Sequence, residues 1–110
     1  MGFCFSKPNK KQLLKESRER VENNARILCV CAELATDELR DKVDRVYDGV
    51  RFMTPTASAG AAQADKKINA LAGDLKIALS KSKERALHQA EDIIKDINTA
   101  IAERNSFVGR

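Results

Sequence analysis

Hydrophobic and small residues recur every three or four positions along most of the chain, in two long runs separated by a proline. The first run extends from Leu14 to Met53 and is interrupted only by Arg18, and the second extends from Ala57 to Ile101. This spacing is typical of one face of an α-helix, and no stretch shows the alternation expected of a strand. The sequence therefore predicts an all-α fold built from two long helices.

Local signals predict where these helices begin and end. Asn9 can cap the first helix, because Gln12 stands three residues later, where a capping-box partner belongs. Pro55 disfavours a helical residue before it, so the first helix should end near Thr54. We therefore predict a helix over about 9–53, a turn over about 54–57 and a helix over about 57–104, with tails at 1–8 and 106–110.

The two runs fit each other as an antiparallel, coiled-coil-like hairpin. Positions whose numbers sum to 110 or 111 place a large residue opposite a small one at most levels, as for Val50 with Ala61 and Val46 with Ala64. In both runs, apolar residues twice in succession recur after four residues, and these stretches lie opposite each other in the hairpin. Because both helices would shift their repeat at the same place, their apolar faces would stay in contact. This match predicts that the two helices pair within one chain.

Further apolar residues lie outside this seam and form a second stripe on each helix. An exposed stripe of this kind usually marks an interface, so two hairpins could dimerise into a four-helix bundle or one hairpin could bind a protein partner. The alternative is that the hairpin curls, or packs its own Phe107 and Val108 there. The six stripe residues are Ile27, Cys31 and Leu34 on the first helix and Leu87, Ile94 and Ile101 on the second.

The charge of the chain is unevenly distributed. The net charge is +4, and residues 1–20 contain six Lys or Arg against two Glu. The remaining ninety residues contain fourteen charges of each sign and balance. All the excess positive charge therefore adjoins the amino terminus, which favours binding to an anionic membrane surface.

The amino terminus also contains a pattern for acylation. Removal of Met1 would leave Gly2 four residues before Ser6, as N-myristoylation requires, and Cys4 could then accept palmitate. One myristoyl chain binds membranes only marginally, so a second signal is needed. The first eleven residues resemble dual-acylated cytoplasmic anchors; the alternative is a frayed tail whose phenylalanines pack on a helix. The lysines expected to contact acidic lipid are Lys7, Lys10, Lys11 and Lys15.

The sequence offers little for catalysis or metal binding. A catalytic triad needs a nucleophile, a base and an orienting group. His88 is the only histidine, and the sequence shows no evident nucleophile or orienting group for it. Cys29 and Cys31 are two residues apart, which is about 200° of rotation on a helix, and their thiols cannot hold one ion together. We expect no catalytic residue, metal or cofactor.

These features predict a lipid-anchored adaptor or scaffold at the cytoplasmic face of the plasma membrane or an endomembrane. An alternative is a protein that remodels or tethers membranes through assembled hairpins. Nucleic acid is a less favoured partner, because the helices lack the stacking aromatics of a single-strand binder. Phosphorylation of Ser6 or Ser17, beside or within the basic segment, would offset much of the local charge; the alternative is that Ser6 is only a determinant for the transferase and Ser17 an ordinary surface residue.

Overall fold

The computed structural model describes residues 9–81 and 84–108, and these residues form four α-helices. The all-α prediction is therefore confirmed, but each of the two predicted long helices is replaced by a pair. The helices are α1 (Lys10–Leu34), α2 (Asp37–Arg51), α3 (Ala59–Leu79) and α4 (Glu84–Asn105).

The outer limits of the helices follow local capping chemistry. The side chain of Asn9 accepts a hydrogen bond from the backbone N–H of Gln12 at 2.8 Å, as the sequence predicts. The second half of the chain begins its helix later than expected, because Ser58 is the cap and accepts from the N–H of Ala61 at 3.3 Å. Residues 52–58 therefore form a longer connection than the predicted turn.

A break at Ala35 and Thr36 divides the first predicted helix. Both residues have extended backbone, with ψ of 141° and 166°. The carbonyl of Thr36 then accepts from the N–H groups of Leu39 and Arg40 and begins α2. The prediction of one continuous helix over 9–53 is wrong, since α1 has apolar residues on two sides and α2 folds back to cover one of them.

A second break separates α3 from α4. Ser80 closes α3 through its backbone N–H and its hydroxyl, both of which donate to the carbonyl of Lys76. The helix resumes at Glu84. The predicted continuous helix over 57–104 is likewise wrong, although its carboxyl end lies close to the predicted position.

The pairing of the helices differs from the predicted hairpin. Within the described residues, α1 contacts α2 and α3, and α4 contacts α2 and α3. The bonds from Asn24 to Asp65 and from Cys31 to Ala72 both span 41 residues, so α1 and α3 run parallel. The antiparallel partners are consecutive helices, α1 with α2 and α3 with α4. The register that paired Val50 with Ala61 is therefore wrong.

The hydrophobic core runs between all four helices and contains most of the predicted seam. The seam was predicted from the helical spacing of apolar residues. That spacing identifies the buried face of each helix, whichever other helix covers it. The larger members are Val21, Leu28, Leu39, Val43, Val46, Val50, Ile68, Leu75 and Ile97.

Candidate functional site

Exposed basic residues crowd the first turns of α1. Lys10, Lys11 and Lys15 are exposed, and Arg18 continues the face of Lys11 and Lys15 at helical spacing. The first turn contains no acidic residue. A helix amino terminus carries a partial positive charge, so Lys10 and Lys11, in the first turn, are each unfavourable there by roughly 0.3–1 kcal/mol. The local sequence thus opposes helix stability, which is a pattern typical of functional positions.

Two other segments meet α1 at this end. The backbone N–H of Thr56, in the connection before α3, donates to the hydroxyl of Ser17 at 3.0 Å. Arg104, in the last turn of α4, donates to the same hydroxyl at 3.4 Å. We call this part of the molecule the basic end: the first turns of α1, residues 52–58 and residues 104–108. The opposite end comprises residues 34–37, 77–81 and the start of α4.

A buried ion pair underlies the basic end. The Nε of Arg104 lies 3.1 Å from Oδ1 of Asp65, and both side chains are fully buried. The guanidinium also donates to the carbonyl of Thr54 at 2.7 Å, and so joins α4 to the connection between α2 and α3. Burying two charges is costly unless they are paired and hydrogen-bonded, a condition that these contacts meet in large part.

The second oxygen of Asp65 faces α1. Its Oδ2 lies 3.5 Å from Nε of Arg20, whose side chain remains 28% exposed. The distance is that of an ion pair, but neither atom has a hydrogen-bond partner among the described residues. We therefore treat this contact as electrostatic and regard Arg104 as the principal partner of Asp65.

Asparagine side chains extend this network along α1 and α3. The amide of Asn24 donates to the carbonyl of Asp65 at 3.0 Å, and the carbonyl oxygen of Asn24 accepts from Asn69 at 2.9 Å. The whole network fixes the register of α1, α3 and α4 at the basic end. We name it the buried polar cluster: Ser17, Asn24, Asp65 and Arg104, which are buried, with Arg20 and Asn69, which are partly buried.

The apolar pattern alone does not identify this cluster, although the sequence contains a signal for it. Val21 and Leu28 alternate with Ser17 and Asn24 at three- and four-residue steps. These residues therefore form one stripe on α1 in which apolar and polar side chains alternate. Arg104 similarly continues the buried face of α4. Charged and amide side chains are usually solvated, so these positions were treated as surface. Ser17 is fully buried, so the prediction of an accessible phosphorylation site there and the alternative of an ordinary surface residue are both wrong.

The six stripe residues do not form an exposed surface. Cys31 and Ile94 are buried, and Ile27, Leu87 and Ile101 are partly buried against the core. Only Leu34 is exposed, at 40%. The expectation of an exposed stripe is therefore wrong, because these residues face neighbouring helices; for example, Ile101 packs beside Gly49 of α2.

The two cysteines of α1 lie on different sides of the helix, as their spacing predicts. Cys29 is exposed, whereas Cys31 is buried and its thiol donates to the carbonyl of Ala72 at 3.6 Å. Burial raises the pKa of the Cys31 thiol to about 11. Since the thiolate is the nucleophile, Cys31 stays protonated and unreactive at neutral pH.

The remaining predicted residues either lie outside the described chain or stand alone. Gly2, Cys4, Ser6 and Lys7 are outside the described residues. His88 is exposed on α4. Across residues 9–81 and 84–108, the acidic, cysteine and histidine side chains form no group that could hold a metal ion. None of the four described helices combines the length and apolar character needed to cross a bilayer.

Comparison with protein-family models gives no match. Comparisons with curated proteins and with solved structures also give no significant match.

Proposed function

We propose that this chain is a non-enzymatic, acyl-anchored adaptor that binds the cytoplasmic leaflet of a membrane through its basic end. The observation that carries the proposal is the group of exposed lysines in the first two turns of α1, the first of which contains no acidic residue. Lysine is disfavoured at a helix amino terminus by the macrodipole, and an anionic surface would reverse that penalty.

The acylation pattern at the amino terminus would provide a second attachment to the membrane, in addition to the lysines. A myristoyl chain on Gly2 would give weak, reversible binding, and each Lys or Arg near an anionic surface adds about 1 kcal/mol. Lys7, Lys10, Lys11 and Lys15 follow directly on the acyl positions Gly2 and Cys4. The lipid chain and the lysines would therefore contact the same patch of membrane.

The proposed adaptor role follows from the difference between the two ends of the molecule. Its long axis is 56 Å, so the opposite end would stand well away from a membrane bound at the basic end. That end exposes Leu34 and Ile77, at 40% and 57%. We propose that a protein, either a different partner or a second copy of the chain, contacts this end.

Metabolic labelling with a myristate analogue, followed by membrane fractionation, tests the proposal. The wild type should be labelled and membrane-bound, and Gly2→Ala should be neither. Cys4→Ser should be labelled but partly released, because one acyl chain binds only marginally. Gly73→Ala is a matched control, since an added Cβ at Gly73 meets nothing within 4 Å. A Gly2→Ala protein that remains fully membrane-bound would contradict the proposal.

A further inference from the structure

Phe52 is unusually exposed for a large apolar side chain. It follows the last residue of α2 and is 70% exposed, the highest value among the large hydrophobic residues that the structure describes. Its neighbours Val50 and Met53 are buried in the core. The backbone N–H of Phe52 donates to the carbonyl of Asp48 at 3.3 Å. The chain is thus held on both sides of a phenylalanine that projects outward.

A cation covers one side of this ring. The guanidinium carbon of Arg51 lies 4.4 Å from the centroid of Phe52 and 5.2 Å from that of Tyr47. Arg51 also pairs with Asp48 at 3.4 Å, across exposed side chains. The result is an exposed aromatic ring with a positive charge directly beside it, a combination that suits the headgroup region of an anionic bilayer.

Phe52 lies at the basic end. Arg51 and Tyr47 form a shallow cleft with Val21, Ala25 and Cys29, which places the end of α2 against the middle of α1. Four residues after Phe52, Thr56 bonds to Ser17. The connection that carries Phe52 therefore reaches the end of the molecule whose charge would attract acidic lipid.

Phe107, the other phenylalanine that the structure describes, is at the same end. It follows α4, is 45% exposed and packs against Gly60, where an added Cβ would stand 2.5 Å from the ring. The exposed aliphatic residues Leu34 and Ile77 lie at the opposite end instead. The described exposed aromatics therefore share an end with the lysines, whereas the described exposed aliphatics do not.

We infer that Phe52 inserts its ring into the interfacial layer of the membrane and fixes the orientation of the bound protein. This inference rests on the proposed function. A lipid surface fits better than a protein partner, because a specific protein interface buries roughly 1,000 Å² or more, whereas Phe52 is a single projecting ring among charges. A single aromatic ring beside basic residues is enough to engage a membrane interface that an acyl chain already holds.

A tryptophan substitution supplies a direct probe, because the chain contains no tryptophan. Myristoylated Phe52→Trp and Ile77→Trp would be mixed with vesicles of phosphatidylcholine and phosphatidylserine, some of them carrying brominated acyl chains. We expect the emission of Phe52→Trp to shift to shorter wavelength and to be quenched by the brominated lipid. Ile77→Trp, at the opposite end, should show neither change.

Vesicle binding of Phe52→Ala should fall by about fivefold to tenfold, as expected for losing a partly inserted aromatic ring, while Ile77→Ala should bind as the wild type does. If the wild type binds but Phe52→Trp is neither shifted nor quenched, the insertion is excluded and the proposed function stands. Failure of the myristoylated wild type itself to bind these vesicles would overturn both.

Discussion

Asp65 and Arg104 show how single residues determine the geometry of the basic end. Arg104 contacts Asp65, Thr54 and Ser17, which belong to three different segments. An apolar side chain could fill the same space but could not make these directed contacts. The polar pair therefore selects one register among the helices in addition to filling the core.

Removing one member of the buried pair should be strongly destabilising. Asp65→Ala leaves the Arg104 guanidinium buried without its carboxylate, and we expect a loss of about 3–5 kcal/mol in the free energy of unfolding. The double variant Asp65→Leu with Arg104→Met should recover much of that loss. Urea denaturation followed by circular dichroism would measure both.

Glu103→Ala is the matched control for this experiment. Glu103 precedes Arg104 and pairs with Lys67 at 3.9 Å across exposed side chains, so its loss should cost less than about 1 kcal/mol. An Asp65→Ala protein no less stable than Glu103→Ala would show that the buried pair does not stabilise the fold.

At this scale, local chemistry was predictable and tertiary burial was not. The Asn9 cap could be predicted because its partner is three residues away. The predicted seam includes Ala25 in the core and leaves out Asn24, because apolar residues are buried more often than amides. Asn24 is buried because Asp65 and Asn69, more than forty residues away, supply its hydrogen bonds.

At the scale of helices, the break at Ala35 and Thr36 decides the arrangement. The hydrophobic period continues through Ala35, so the sequence pattern favours one uninterrupted helix. The structure instead folds α2 back onto α1, which covers apolar residues that a two-helix hairpin would leave in water. A periodic pattern identifies buried faces but does not say which helix covers them, and this explains why the buried positions were predicted better than their partners.

Two stripe residues with the same predicted role should respond differently to a charge. Ile94 is 3% exposed, so Ile94→Asp should lower the free energy of unfolding by about 4 kcal/mol or more. Leu34 is 40% exposed, and Leu34→Asp should change stability by less than about 1 kcal/mol. Thermal unfolding and sedimentation of the non-acylated proteins would measure stability and oligomeric state. If the wild type were a dimer and Ile94→Asp a folded monomer, the expected loss of stability would be contradicted and the stripe would be an interface.

For the whole molecule, the central feature is its polarity. The excess positive charge was predictable from composition, since it is confined to residues 1–20. The position of Phe52 and Phe107 at the same end was not, because it depends on how α2 and α4 return toward the start of α1. Charges are screened over roughly 10 Å at 0.1 M salt, so basic residues at the far end of a 56 Å molecule should add little to binding at the basic end.

The most direct test of the account is vesicle binding by myristoylated variants that lose the same charge at different ends. One variant replaces Lys10, Lys11 and Lys15 with glutamine, and its control replaces the exposed Lys76, Lys81 and Arg85, at or next to the opposite end, with glutamine. At about 1 kcal/mol for each lysine, affinity for phosphatidylserine vesicles should fall roughly a hundredfold in the first variant and little in the control. Equal affinities for the two variants, or wild-type binding that does not depend on phosphatidylserine, would contradict attachment through the basic end.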